Sequence, residues 1–189
     1  ATNYDMFMKS VADIRALIPE YVVFDPKDVI ELIREFANTW VSLAAYDRDV
    51  LTVLTVTKNN VKLTGEELRD AIGSLKQELT HDGEATDLFA TERSAGNIEG
   101  IVGNVMQSFS GKPVYGSIEE KAAHLLYFMV KNHPFVDGNK RCGAFAFVWF
   151  LRRSGVKGSG NINPASLTAL TLLIAESDPK KKDRMVALV

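Results

Sequence analysis

The chain has 189 residues, 46% hydrophobic and 24% charged, the composition of an ordinary globular protein of one domain or one domain with an extension. Its 22 basic and 24 acidic side chains leave a net charge of −2, which offers no basic face and argues against binding nucleic acid. The longest apolar stretch, Cys142 to Leu151, has ten residues, well short of the roughly 18 to 20 that cross a bilayer, so no membrane segment is expected.

The start, Ala1-Thr2-Asn3-Tyr4-Asp5, lacks an initiator Met and shows no signal-peptide pattern, as a processed or trimmed chain would. Asp25-Pro26 reads as an N-cap followed by proline at the first helical position. Val29, Ile33, Phe36, Trp40 and Leu43 follow at three- and four-residue spacing, which predicts an amphipathic helix from about 26 to 46. The alternating stretch Leu51 to Leu63 contains Asn59-Asn60 and reads as a small hairpin. Thr64 with Glu67 forms a capping box for a helix running to about Leu79, with Leu68, Ile72, Leu75 and Leu79 on one face. The polar, small-residue segment His81 to Asn97 is the best candidate for a boundary. It divides a mostly helical N-terminal extension, residues 1–90, from a core over 91–189. Ser117 with Glu120 repeats the capping device for a helix that runs up to His133, and Gly155 stops the helix after that. Helices over about 164 to 177 and 179 to 188 close the chain, so the class is mainly α.

Several residues invite a functional reading and have a plainer one. The single cysteine, Cys142, excludes an internal disulfide, suits a reducing cytoplasm and reads as a packed core thiol. Lys180-Lys181-Lys182 beside Asp183 reads as a solvated helix end. His124, among Ala and Leu on a helix face, reads as a hydrogen-bonded, semi-buried imidazole, and His81 as an inert loop residue.

The run His133-Pro134-Phe135-Val136-Asp137-Gly138-Asn139-Lys140-Arg141 lies between two helical segments and concentrates the chemistry. Pro134 disfavours helical backbone in the residue before it, so the incoming helix should end near Asn132 or His133. That leaves His133 in a loop, where an imidazole near neutrality is the natural proton acceptor for a hydroxyl. Asp137 offers the single carboxylate that, with substrate phosphates, usually holds Mg²⁺. Gly138 and Asn139 open the next helix, whose unpaired N–H groups and dipole favour a phosphate. Arg141, within its first turn, can fork onto phosphate oxygens. The plain alternative is a connector whose Gly and Asn only shape a turn. A connector has no need of Asp, Asn, Lys and Arg in that order.

The run matches at every fixed position the Fic/Doc signature, His-x-Phe-x-(Asp/Glu)-Gly-Asn-(Gly/Lys)-Arg, and the chain resembles that family over about its last hundred residues. The likeness is greatest to Doc-type proteins and to the Fic-like half of RhuM-type virulence-associated proteins. It implies a Fic-type helical bundle with a small β-hairpin flap, placed on the stretch from Ser108 to Ser117, where the plain alternative is an ordinary Gly-Pro loop over the helix ends. By the same resemblance His133 deprotonates a hydroxyl on a target protein and Asp137 binds Mg²⁺. Gly138, Asn139, Lys140 and Arg141 hold the phosphates of ATP, while Pro134 and Phe135 anchor the loop.

Members that transfer AMP usually carry glycine before the arginine and a second arginine three residues after it. Lys140 and Ala144 fill those slots. Lysine at the first is the pattern of Doc, which moves the γ-phosphoryl group. The expectation is therefore phosphoryl transfer from ATP, with AMP transfer or a non-catalytic nucleotide-binding adaptor as alternatives. The inhibitory helix of some relatives needs Ser or Thr four residues before its glutamate, and Ala95-Gly96-Asn97-Ile98-Glu99-Gly100 lacks it. The implied partners are a target protein presenting Ser, Thr or Tyr and a separate antitoxin-like protein. No membrane or nucleic-acid partner is expected, and an oligomer is open.

Overall fold

The computed structural model describes residues 61–156 and 164–189. The helix expected over 26–46 and nearly all of the hairpin expected over 51–63 lie outside them. The fold is mostly helical with one small hairpin, as a Fic-type bundle requires.

Helix α1, Gly65–His81, starts on the expected capping box: the Glu67 N–H donates to the Thr64 hydroxyl at 3.2 Å and the Thr64 N–H to the Glu67 carboxylate at 2.9 Å. Its buried face is Leu68, Ala71, Ile72, Leu75 and Leu79, one side of a 3.6-residue period. On the opposite flank Glu67 also accepts from Arg153, and this holds its carboxyl below the usual range. Helix α2, Asn97–Met106, follows after Gly96 turns the chain with a φ of 89° and buries Ile98, Ile101, Val102 and Val105.

The hairpin comes next. Strands β1, Ser108–Phe109, and β2, Lys112–Pro113, pair antiparallel. Ser110 and Gly111 both have positive φ, the turn that matches strand twist. Phe109 at its edge is 79% exposed.

Helices α3, Ile118–Lys131, and α4, Asn139–Arg153, form the centre. The Ser117 hydroxyl accepts from the Glu120 N–H at 3.0 Å, but the Glu120 carboxylate reaches past Ser117 to the Gly116 N–H at 2.8 Å. The expected box is thus half formed, its second bond displaced by one residue. Every residue of α4 from Arg141 to Leu151 is buried. Gly143 lets α3 come close, since a Cβ there would lie 3.2 to 3.4 Å from Val130, Met129 and Leu126. Cys142 is fully buried, and burial pushes its thiol pKa up, as a packed, inert cysteine requires. At the far end Gly155 has a φ of 73°; its N–H donates to Arg152 O and that of Val156 to Leu151 O. This pair of bonds is a Schellman stop.

Helix α5, Pro164–Glu176, packs on α3 and α4. Lys131 caps its C-terminal end by donating to Ala175 O at 2.9 Å and to Ser177 O. A 3₁₀ turn, Pro179–Lys181, leads into α6, Lys182–Leu188, which lies on α3. Lys180 is exposed, as a solvated helix end implies, but Lys182 is not of that kind. Its ammonium lies 4.9 Å from the Phe128 ring centre and 5.8 Å from that of Tyr115, a position the charge run alone could not reveal. No helix among the described residues is long and apolar enough to cross a membrane.

His124 is buried in the same cluster. Its Nδ1–H donates to Glu120 O at 2.9 Å, and its ring stacks on Tyr115 with centres 3.6 Å apart. Desolvation, followed by smaller effects that include the nearby Lys182 charge, lowers its pKa below the ordinary value. The fold therefore holds this imidazole neutral. As pH falls below about 6.5 the unfolded chain takes up the proton first and stability declines, until the lowered folded-state pKa is passed. In urea titrations between about pH 7.5 and 5.5, His124→Phe is expected to lose less stability than the wild type; equal losses refute the assignment.

Candidate active site

The nine-residue run joins α3 to α4 at one end of the central pair. Helix α3 ends at Lys131 with Asn132 as its cap, so His133 falls just beyond it, exposed, with a φ of 48°. Histidine is among the few side chains that tolerate this left-handed region, and the following proline keeps it from continuing the helix.

The loop then turns inward. Pro134 and Phe135 are buried, the latter at 2% exposure. The Asn139 side chain closes the turn on itself: its Oδ1 accepts from the Phe135 N–H at 2.8 Å and its Nδ2 donates to Phe135 O at 3.0 Å. Asn139 opens α4, so this amide clamps the loop to the helix that leaves it. The N–H of Gly138 donates to Asp137 Oδ1 at 2.7 Å, while the Asp137 side chain stays exposed. Lys140 is half-exposed at the second position of α4.

A second segment, which the sequence marks only as a boundary, runs along this loop. The N–H groups of Ala90 and Arg93 donate to Asp137 O and Pro134 O at 3.0 and 2.9 Å, and the Val136 N–H donates back to Thr91 O at 2.8 Å. Glu92 stands opposite Phe135 in an antiparallel bridge. Arg93 Nε reaches Phe135 O at 2.8 Å, and Asn97 Nδ2 reaches Pro134 O at 3.3 Å. The strap is in turn tied to α1. Lys76 donates to Asp87 O and to the Thr91 hydroxyl at 2.7 and 2.9 Å, and Arg69 pairs with Glu92 at 2.9 Å and with Glu99. Helix α1, on the N-terminal side of the expected boundary, thus shares the core and braces the loop.

Phe89, on the strap, fills the space behind the turn with no exposed surface. Gly138 has a φ of 83°, and a Cβ there would come 2.3 and 2.4 Å from Phe89 Cε2 and Cδ2. Conformation and space both demand glycine, and the close approach is to Phe89. Arg141 is 6% exposed, its guanidinium carbon 4.4 Å from the centre of the Phe89 ring and its Nη1 donating to Glu84 O at 3.2 Å. Ala144, one turn on, is buried at 2%.

The run therefore divides. His133, Asp137 and Lys140 lie at the surface, while the side chains of Pro134, Phe135, Asn139 and Arg141 are directed into the protein. Sequence reasoning missed Phe89, Glu84, Arg93 and Asn97. The available signal was the apolar pair Leu88-Phe89 inside a segment otherwise of polar and small residues, of which Phe89 is the buried member.

The Fic/DOC family profile matches residues 58–151, from just before α1 to the last turn of α4, taking in the strap, the hairpin and the loop. The chain belongs to the Fic/DOC family. No curated protein and no solved structure matches it. Fic/DOC proteins generally transfer nucleotide-derived groups to other proteins, and the chain is in that general sense a Fic-type transferase.

In this Fic/DOC protein the turn at Gly138 can be tested directly. Gly138→Ala meets both a left-handed backbone and the Phe89 ring, and is expected to cost about 2–4 kcal/mol in urea unfolding. A loss under about 0.5 kcal/mol, within the range of ordinary surface changes, would show that the ring gives way freely.

Proposed function

We propose that the protein moves the γ-phosphoryl group of ATP to a Ser, Thr or Tyr hydroxyl of a target protein. The observation that carries this reading is the outward face of the loop. An exposed imidazole, His133, and an exposed carboxylate, Asp137, flank the N-terminus of α4, and Lys140 adds a cation there.

The residues fit a magnesium-bound nucleotide. Among the described residues no three His, Cys, Asp or Glu side chains gather as a metal site. A divalent ion would rest on Asp137 and the nucleotide's own oxygens, as Mg²⁺ commonly does. Bound ATP with Mg²⁺ supplies the transferable phosphoryl group and neutralises part of its charge. The rest falls to the chain. The first N–H groups of α4 have no carbonyl within the helix and, with the dipole, attract phosphate oxygens. Lys140 adds positive charge beside them. His133 takes the proton of the target hydroxyl as its oxygen bonds to the γ-phosphorus and the bond to the β-phosphate oxygen breaks, so that ADP leaves.

Phosphoryl rather than AMP transfer is favoured by two positions. Lys140 stands where AMP-transferring relatives usually have glycine, and the slot of their second arginine holds Ala144, buried in the core. The inhibitory helix of some relatives has Ser or Thr where Ala95 stands, and the arginine its glutamate pairs with is replaced by Ala144. We accordingly assign restraint of a toxin-like activity to a separate antitoxin protein, and the site of action to the cytoplasm.

His133→Ala is expected to reduce transfer by about 10² to 10⁴, the usual effect of losing a general base, with an unchanged thermal melt because the side chain is exposed. Near wild-type transfer in that variant refutes the role of His133. ATP labelled separately at the α and γ phosphates, incubated with the protein and a cell lysate, decides the chemistry. Label from the γ position on a protein supports phosphoryl transfer and label from the α position supports AMP transfer. With Mg²⁺ present and any antitoxin removed, neither label points to a nucleotide-binding adaptor.

A further inference from the structure

We infer that Phe89 is a positioning residue of the phosphate site, acting on nucleotide affinity through the guanidinium of Arg141. The inference rests on reading the loop as a nucleotide-phosphate site.

An ordinary core phenylalanine is surrounded by apolar side chains, and replacing it changes stability alone. Phe89 belongs to the hydrophobic core on one side. It also meets the loop and the helix that leaves it. One edge of the ring lies where a Gly138 Cβ would be, at 2.3 and 2.4 Å, and its face carries Arg141, with Cζ 4.4 Å from the centre. That distance is within the range at which the negative face of a ring attracts a cation. The five N–H donors of a guanidinium lie in one plane, so fixing the plane decides where the fork points. The same strap fixes it a second time, because Glu84 O accepts from Arg141 Nη1 at 3.2 Å. Strand-like bonds from Ala90 to Asp137 O and from Val136 to Thr91 O hold the strap to the loop on the other side of Phe89. The ring thus ties together the glycine turn and the arginine in the first turn of α4. A displaced ring changes both at once.

A double-mutant cycle separates this role from plain packing. MgATP binding to the full chain is measured by titration calorimetry for the wild type, Phe89→Leu, Arg141→Met and the double variant. Leucine fills much of the space but has no ring face, and Phe89→Leu is expected to weaken binding about tenfold. In the Arg141→Met background the same change is expected to weaken binding no further, because Phe89 acts through the guanidinium. If circular dichroism shows Phe89→Leu unfolded, Phe89→Met, which fills irregular gaps without a ring, takes its place. Equal losses in both backgrounds, or no loss in the single variant, overturn the inference and leave the nucleotide reading standing. A wild-type protein that binds no MgATP overturns the nucleotide reading itself, and this inference with it.

Discussion

The contact between Phe89 and the turn at Gly138 is the constraint on which the rest of the site depends. A residue with a side chain at 138 would collide with the ring, and a residue without the ring at 89 would leave the turn unsupported. The fold meets this by drawing the two segments together through main-chain bonds between residues 90–93 and 134–137. Such bonds are indifferent to side-chain identity, so they set position without restricting chemistry. The outward residues of the loop are then free of structural duties and open to the role proposed for them.

The remaining architecture serves to keep this pairing in place. Helices α3 and α4 enter and leave the loop, and Gly143 lets them lie close enough for α4 to be buried along most of its length. Helix α1 holds the strap from behind through Lys76 and Arg69. Arg69 and Glu99 are both nearly half-exposed at the surface, and ion pairs of that kind contribute little to stability. The two bonds of Lys76, one to a backbone carbonyl and one to a partly buried hydroxyl, fix geometry more firmly. Stability in this region comes from the apolar face of α1, and its polar groups set direction.

What was legible in the sequence follows from the range of the interactions. The capping box at Thr64, the stop at Gly155 and the helix end before Pro134 are all decided by residues within one turn of each other, and each is found where local chemistry puts it. The loop was legible because its residues are contiguous. The strap was not, because Arg93 meets Phe135 and Arg141 meets Glu84 across more than forty positions, mostly at backbone atoms that no residue type announces. Its Gly, Ser, Thr and Asp residues have the composition of a linker, and composition alone gave that reading. Lys182 was misread for a related reason: its aromatic partners, Tyr115 and Phe128, lie far away in the chain.

The structure also redistributes the argument from the motif. Its ordered string seemed to need chemistry because a connector has no use for Asn and Arg. Yet Asn139 closes the turn onto Phe135 at both ends of its amide, and Arg141 is enclosed between the strap and α4. These two have structural uses, and a connector of this particular shape does need them. The proposed acid–base, metal and added-charge roles therefore narrow to His133, Asp137 and Lys140, which lie at the surface, and the part inferred for Arg141 in nucleotide affinity is set by the strap that holds it. This narrowing strengthens the reading. Transfer of a phosphoryl group depends on donors held still while charge moves, with little covalent work for the protein. A loop that uses half of its residues to immobilise the others suits the proposed transfer, and a simple turn between helices would have no reason to be held from so many sides.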